Sequence, residues 1–515
     1  MAEYIVSVDI GTQGCKAALF DGDLERVAVS FVPLDVCSPR VGVAWQEPLK
    51  IYEGFLAAIR MLLAKSCVKP QEIAVLGIDG QMAGIMGVDT EGEAVTVYGS
   101  WLDTRCSRYV EWMKEQCGQK ATQITGGPIS FTHGPKILWL KHEKPELYKK
   151  VCKFVTIGAY ITGRITGLRG EESFFDHTGM QYSGFGDNLR LEWSDELLGR
   201  FGVEKNKMAR ILSPFEVAGK ITSSFAAESG LVPGTPVIAG CGDTAASIYG
   251  TNVLETGALL DCAGTASVLC SKVDAYAPDT ANQVITLMRA PQKDQWYPMA
   301  YINGGGLCVR WGRDQLSGPQ GGTYEELEKE ALDVPAGSDG LYCIPHFAGR
   351  VLPYHPNLRG SFVGMSWNHT RGHLYRSILE GIAYEYAFYL SILKKMYPGY
   401  AFQKLYTMGG GARSKLFGQI KADVLGVDVA VCEEVDTALR GTAKIAAKAV
   451  GILQGTEDNR NKKTELRRQE IYIKANEGCK AEYAEMTEGY QSLLENLETF
   501  YRNRYIATDS EKKMM

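Results

Sequence analysis

Several things are missing from this sequence, and each absence removes a class of protein. The 13 cysteines are odd in number, run from Cys15 to Cys479 and never form a CxxC pair. That is the usage of small buried thiols in a reducing cytoplasm, not of a disulfide-stapled secreted domain. Only seven histidines are present and none clusters with cysteine, which argues against a structural zinc site. No apolar run is long enough to cross a bilayer, and the opening "MAEYIVSVDIG" has no basic region ahead of its apolar residues. Neither a membrane span nor a secretory signal is predicted, and a cytoplasmic location is expected. The net charge of −5 gives no field that would gather nucleic acid or an anionic membrane.

Glycine is abundant. The chain has 57 among its 515 residues, well above the average of roughly 7%. Many fall in short clusters, as expected for backbone turns close to ligands. Hydrophobic and charged fractions of 45% and 22% are those of an ordinary globular protein of two large or three smaller domains.

Strand-like and helix-like patterns alternate, which predicts an α/β architecture. Residues 4–9 and 15–20 read as a hairpin, and 73–80, "IAVLGIDG", as a buried strand. "LKIYEGFLAAIRMLLAKS", "KILWLKHEKPELYKKV" with its proline break, and "HLYRSILEGIAYEYAFYLSILK" have helical spacing. "KLYTMGGGARSKLFGQIKADVLG" reads as strand, glycine loop and helix. A boundary is expected near residue 250, giving segments 1–250 and 251–455. Residues 456–515 are expected to hold a charged stretch and then an amphipathic helix, with Tyr483, Tyr490, Leu494, Leu497 and Tyr501 on one face.

Two familiar phosphate-binding motifs are also absent. "DIGTQGCKAALFD" (9–21) lacks the GxGxxG spacing of a dinucleotide fold, and its continuation is β-prone rather than helical. Nothing matches the P-loop pattern GxxxxGK[ST]. What remains is an echo: "DIGT" at 9–12 is answered by "DCAGT" at 261–265. Two such hairpins suggest a duplicated clamp in which backbone amides at Gly11 and Gly264 approach phosphate oxygens. Thr12, Gln13 and Thr265 would add donors, and Asp9 would act through Mg²⁺ and its waters. The alternative is a pair of ordinary hairpin turns.

Other loops carry candidate chemistry. "MGGGARSKLF" (408–417) and "NGGGLCVRW" (303–311) place free amides at helix starts, with a flat glycine surface suited to a nucleobase. Asp243 in "AGCGDTAAS" follows a strand and precedes a helix-prone run. It is a candidate base, and equally a candidate helix cap. "DGQMAG" (79–84) and "GSWLDTRC" (99–106) offer donors and acceptors for a polyhydroxylated ligand, with Asp103 and Arg105 equally readable as a surface ion pair.

These residues resemble the FGGY family of carbohydrate kinases, within the sugar kinase, Hsp70 and actin superfamily, from Asp9 to about Gly451. The most specific stretch is "GSFVGMSWNHTRGHLYRSILEG" (360–381), which fits the family's C-terminal signature. "FTHGPKILWLKHE" (131–143) fits the other in part: Lys136 and Trp139 agree, but His133 stands where a small residue or proline is usual. The resemblance implies two RNase H-like (actin-like ATPase) domains flanking a deep catalytic cleft, with sugar on the first and ATP on the second. By position it implies Asp243 as catalytic base at the substrate, and Asp9 with Asp243 at Mg²⁺. Thr12, Gln13, Lys16, Gly264, Thr265, Gly306, Arg310, Gly411, Ala412 and Ser414 would then face the nucleotide, and Gln81, Met82, Asp103 and Arg105 the sugar. Xylulokinases look most similar, which favours a xylulose-type ketose. They typically carry a histidine where this chain has Ala83 and an amide where it has Leu102, so a ribulose, gluconate, glycerol or erythritol type of acceptor stays open, as does a catalytically silent sugar sensor. A homodimer is the family-based expectation.

Overall fold

The computed structural model describes residues 3–251, 255–317, 321–432, 436–453 and 472–512, with side chains as far as Arg504. The expected charged stretch at 456–470 lies outside them.

The chain opens with a meander. Strands β1 (Tyr4–Gly11) and β2 (Gly14–Phe20) pair antiparallel around Thr12–Gln13, and β3 (Arg26–Pro33) returns along β2. β1 is apolar along most of its length because both sheet faces are covered. One cover is helix α1 (Pro48–Lys65). Proline at its first position presets the helical φ, and Ile51, Phe55, Ala58, Ile59 and Leu62 form one buried stripe. Strand β4 (Ile73–Gly80) then runs parallel to β1, setting Asp79 opposite Asp9.

A long excursion follows, with helices α2 (Ser107–Thr125), α3 (His133–Glu143) and α4 (Ile157–Thr166). Helix α3 ends just before Pro145, which starts a separate short turn of helix, as the proline break predicts. The chain re-enters the sheet through β5 (Val217–Lys220), β6 (Pro236–Ile238) and β7 (Cys241–Gly242), and β7 leads straight into helix α5 (Asp243–Gly250). The sheet order is β5-β6-β4-β1-β2-β3, with β7 also paired to β4.

A second sheet repeats this plan. It contains β8 (Leu259–Ala263), β9 (Ser267–Ser271), β10 (Thr286–Arg289), β11 (Trp296–Ile302), β12 (Lys404–Met408), β13 (Asp428–Val431) and β14 (Tyr472–Ile473), in the order β10-β11-β9-β8-β12-β13-β14. Its central run β11-β9-β8-β12-β13 matches β3-β2-β1-β4-β6 in order. In both, three antiparallel strands are followed by two parallel ones. The architecture is therefore the two-domain α/β fold of the actin-like ATPases.

Helices α6 (Gly305–Leu316), α7 (Arg371–Met396), α8 (Lys415–Leu425), α9 (Thr437–Ala449) and α10 (Lys480–Lys512) complete the described chain. Tyr483, Tyr490 and Leu494 of α10 bury against Tyr384 of α7, as their spacing predicts. Behind them Glu385 accepts from His346 at 2.8 Å, Tyr490 Oη at 3.0 Å and Arg350 at 3.2 Å, and Arg350 also reaches Glu498 at 2.7 Å.

The halves share a third core in which Ile5, Val75, Ala245 and Ile248 meet Leu260, Leu439 and Ala443. At its centre α5 and α9 cross backbone to backbone. A Cβ on Gly250 would lie 2.0 Å from the Thr437 carbonyl, and one on Gly441 would lie 1.9 Å from the Ala246 carbonyl. All thirteen cysteines are free thiols, and no helix among the described residues is long and apolar enough to cross a membrane.

Candidate active site

Three carboxylates gather where β1, β4 and β7 end. The register sets Asp9 beside Asp79 and Cys241 beside Asp79, and Asp243 follows two residues later as α5 begins. Ligands in α/β sheets bind outside such carboxyl ends. Burial pushes Asp9 up to about 6, opposed in part by a hydrogen bond shared with Asp79 and by the Lys16 charge. Burial, with the charge of Asp9, pushes Asp243 up to about 7. Asp79 is fully buried and is driven well above the usual carboxylate range by burial and by the charge of Asp9. Its Oδ2 accepts from Thr442 of α9 at 2.6 Å.

Asp243 is not the helix cap. Gly242 occupies that position, and Asp243 is the first helical residue because β7 runs directly into α5. Asp243 Oδ1 accepts from the Thr244 amide at 2.6 Å and from the Thr244 hydroxyl at 3.1 Å. The preceding residue is pinned as well: the Gly242 amide donates to Thr178 Oγ1 at 3.0 Å, and that hydroxyl donates to Asp176.

Among the described residues no group of three His, Cys, Asp or Glu side chains stands ready to hold a metal. Asp9 Oδ1, however, is buried without a hydrogen-bond partner, and its charge bears on Asp243. A Mg²⁺ held by one or two carboxylates, with phosphate oxygens and water in its remaining positions, suits that donor set.

The first hairpin is tied to the acceptor loop. Thr12 donates to Gln81 Oε1 at 3.3 Å and accepts from Trp101 Nε1 at 2.9 Å, while Gln81 Nε2 donates to Gln46 Oε1 at 2.7 Å. Gln81 is therefore committed inside the protein, and Gln13 stands exposed at the turn. Lys16 ion-pairs with Asp436 at the start of α9, and Arg26 joins the same carboxylate. The second hairpin rests on α6: a Cβ on Gly306 would lie 1.9 Å from the Gly264 carbonyl, and the Leu307 amide donates to Thr265 at 3.3 Å. Arg310 is exposed one turn further along α6.

The glycine triplet divides by role. Gly409 has φ +88° and Gly411 packs against Ala263, where a Cβ would come within 2.8 Å, so both are needed by the fold. Gly410 faces open space. Ala412 is buried, and Ser414 caps α8 by accepting from the Phe417 amide at 3.0 Å. Gly11 and Gly264 resemble Gly410. Neither has positive φ, and a Cβ at either would meet only ordinary contacts, the nearest at 3.5 and 3.6 Å.

The four expected sugar contacts fall on two cavities. Gln81 and Met82 line a small one of about 20 Å³ with Ala83, His133, Asp176 and Gly242. Asp103 and Arg105 edge a mostly apolar one of about 290 Å³ with Ile85, Val97, Trp139 and Phe154. Arg105 grips Asp103 at 2.6–3.0 Å and stacks over Trp139 at 4.4 Å. Asp103 is buried, so this pair is not the surface ion pair that its spacing also allowed. Between the cavities Lys136 holds the carbonyls of Ala83, at 3.1 Å, and of Phe131.

Sequence reasoning gave Asp79 no role of its own, although it opens "DGQMAG", and missed Gln46, Thr178 and Thr442. Asp79 left a visible trace, an acid inside the otherwise apolar "IAVLGIDG". The other three act through partners far away in sequence and left none.

Family models for the FGGY carbohydrate kinases match most of the chain, the N-terminal domain over residues 4–250 and the C-terminal domain over 260–450. The chain is 26% identical over 463 residues to a gluconokinase of Bacillus subtilis, covering 88% of each chain. It is also 26% identical over 464 residues to a xylulose kinase of the same organism, covering 88% of this chain and 90% of that one. The solved xylulose kinase of Lactobacillus acidophilus shares the fold with a TM-score of 0.88 at 24% identity, over 97% of this chain and 99% of that one.

Proposed function

The chain belongs to the FGGY family of carbohydrate kinases, and on that premise we propose that it transfers the γ-phosphoryl group of ATP to a primary hydroxyl of a small sugar, a xylulose-type ketose being favoured. The observation that carries this reading is Asp243: a carboxylate raised to about 7 where β7 runs into α5, under the charge of Asp9, whose buried Oδ1 has no partner. A base whose pKa lies near working pH combines a substantial deprotonated fraction with enough basicity to accept a hydroxyl proton.

The first half of the chain takes the acceptor and the second the nucleotide. Asp243 accepts the proton of the attacking hydroxyl as the new O–P bond forms and ADP leaves. Gly11 and Gly264, which the fold does not itself require, let backbone amides approach the phosphates. Gly410 leaves flat room for the adenine. Thr12 keeps the first hairpin in register with the acceptor loop through Gln81 and Trp101. When bound at Asp9 and Asp243, Mg²⁺ supplies neutralisation of the phosphate charge. Thr178 and Asp176 fix Gly242, and so the direction from which Asp243 reaches the hydroxyl.

An ADP-release assay over pentuloses, hexuloses, polyols and aldonates tests the reading. Turnover of a ketose with ATP is expected, and Asp243→Ala is expected to cut kcat by about 10²–10⁴-fold while ATP still binds. Near-normal turnover by that variant would remove Asp243 from the role.

A further inference from the structure

His133, the first residue of α3, is a buried polar group without a use in the fold. It is only 2% exposed, yet neither ring nitrogen has a hydrogen-bond partner. Leaving such a group unpaired is costly, so it belongs where a partner arrives from outside. The ring is confined for that purpose. Phe175 and Tyr182 stand edge-on to it at 5.5 and 6.4 Å, and Gly179 packs close against Phe175, where a Cβ would come within 3.0 Å of the ring.

The ring borders the small cavity formed with Gln81, Met82, Ala83 and Gly242, on the path from the acceptor loop to Asp243. Ala83, opposite, is held in the left-handed region at φ +62°, where a non-glycine residue is strained, and Lys136 grips its carbonyl. Strain of this kind tends to cluster where a backbone is shaped around a ligand. Burial and the Lys136 charge push His133 down to about 3, so the imidazole is neutral and offers one donor and one acceptor. A hydroxyl matches both, and a cavity of about 20 Å³ admits a group of that size. Among the residues lining that cavity Asp176 is the one charged side chain and no lysine or arginine is present, while the two cations nearby are engaged elsewhere, Lys136 on carbonyls and Arg105 on Asp103.

We propose that His133 is a specificity-determining residue that hydrogen-bonds a hydroxyl of a neutral polyol or ketose, and that this site disfavours an aldonate. The inference rests on the sugar-kinase reading above and adds which acceptors are taken and what reads them.

Kinetics of wild type, His133→Leu and His133→Gln over neutral ketoses, polyols and aldonates test it, with melting temperatures alongside. The Leu variant should raise KM for the best neutral acceptor about ten- to a hundredfold, with KM for ATP unmoved. Its melting temperature should equal or exceed that of wild type, because an unpaired buried polar group has been removed. The Gln variant, which keeps a donor and an acceptor, should recover most of the loss. A Leu variant with the wild-type acceptor KM overturns the proposal and leaves the kinase reading standing. So does a wild type that prefers an aldonate, or a Leu variant that merely melts early while Gln does not rescue KM. Silence toward every acceptor overturns both readings.

Discussion

The two sheets carry an aspartate at the same topological place, and they treat it in opposite ways. Asp9 lies on the first strand of its hairpin and faces Asp79 on the parallel neighbour. Asp261 lies on the first strand of the second hairpin and faces Thr407 on the parallel neighbour. Thr407 donates to Asp261 at 2.8 Å, Tyr386 donates at 2.7 Å and the fully buried Lys421 adds its charge. Every lone pair that matters there is satisfied, and the group serves as an anchor beneath the hairpin. Asp9 instead meets a second acid and keeps one oxygen without a partner. The same topological place is thus a structural post in one half and holds an unpaired acid oxygen in the other. The difference lies in what the facing strand and the covering helices supply, which no short motif records.

The comparison can be broken in four places. The largest expected effect is at Asp9. Asp9→Asn should lower kcat by about a thousandfold, ~4 kcal/mol of transition-state stabilisation, with melting unchanged or improved because like charges are relieved. Steady-state kinetics with thermal melting checks this, and a destabilised Asn variant with intact kcat would reverse the assignment of the two sites. Next is Asp261→Ala. It strands Lys421 as an unpaired buried charge, and a loss of roughly 3–5 kcal/mol of stability is expected in chemical denaturation, with kcat per folded molecule largely retained.

Third is acidification of the second half. Burial opposes ionisation of Glu385, but Arg350 and His346 outweigh it and lower its carboxyl from 4.5 to about 2. A depressed carboxyl contributes stability above its unfolded pKa and loses it as pH falls toward the folded value. About 3 kcal/mol should therefore fade between pH ~5 and ~2, and Glu385→Gln should flatten that slope in denaturant titrations. The smallest effect is at Asp436→Ala, which releases Lys16 and Arg26. These partners are partly exposed, so a change under about 1 kcal/mol is expected by melting.

Much of the fold was legible. The hairpin at 4–20, the helix beginning at Pro48, the strand at 73–80, the buried helix at 371–396 and the terminal helix through Tyr483 and Tyr490 all follow from local periodicity and turn chemistry. Of the candidate site, position was legible where a local motif sets it, as for Asp9 and the two Gly-Thr turns at the ends of their hairpin strands. It was not legible where long-range pairing decides. Nothing near Asp261 announces Lys421, 160 residues away, and nothing near Lys16 announces Asp436, 420 away. The triplet at 409–411 reads in the sequence as one flat glycine surface. In three dimensions two of the three are required, one for φ and one for contact with Ala263.

The crossing of α5 and α9 has a mechanical meaning. Gly250 and Gly441 bring two backbones together with no side chain between them that could shift rotamer. Such a joint cannot slide by repacking side chains. One helix begins at Asp243, and the other carries the Thr442 hydroxyl that holds Asp79. Though it comes from the second half of the sequence, α9 lies across the first sheet, where a Cβ on Gly77 would come within 2.9 Å of Thr442, so the acid-bearing end of the first sheet is completed by residues from the far end of the chain.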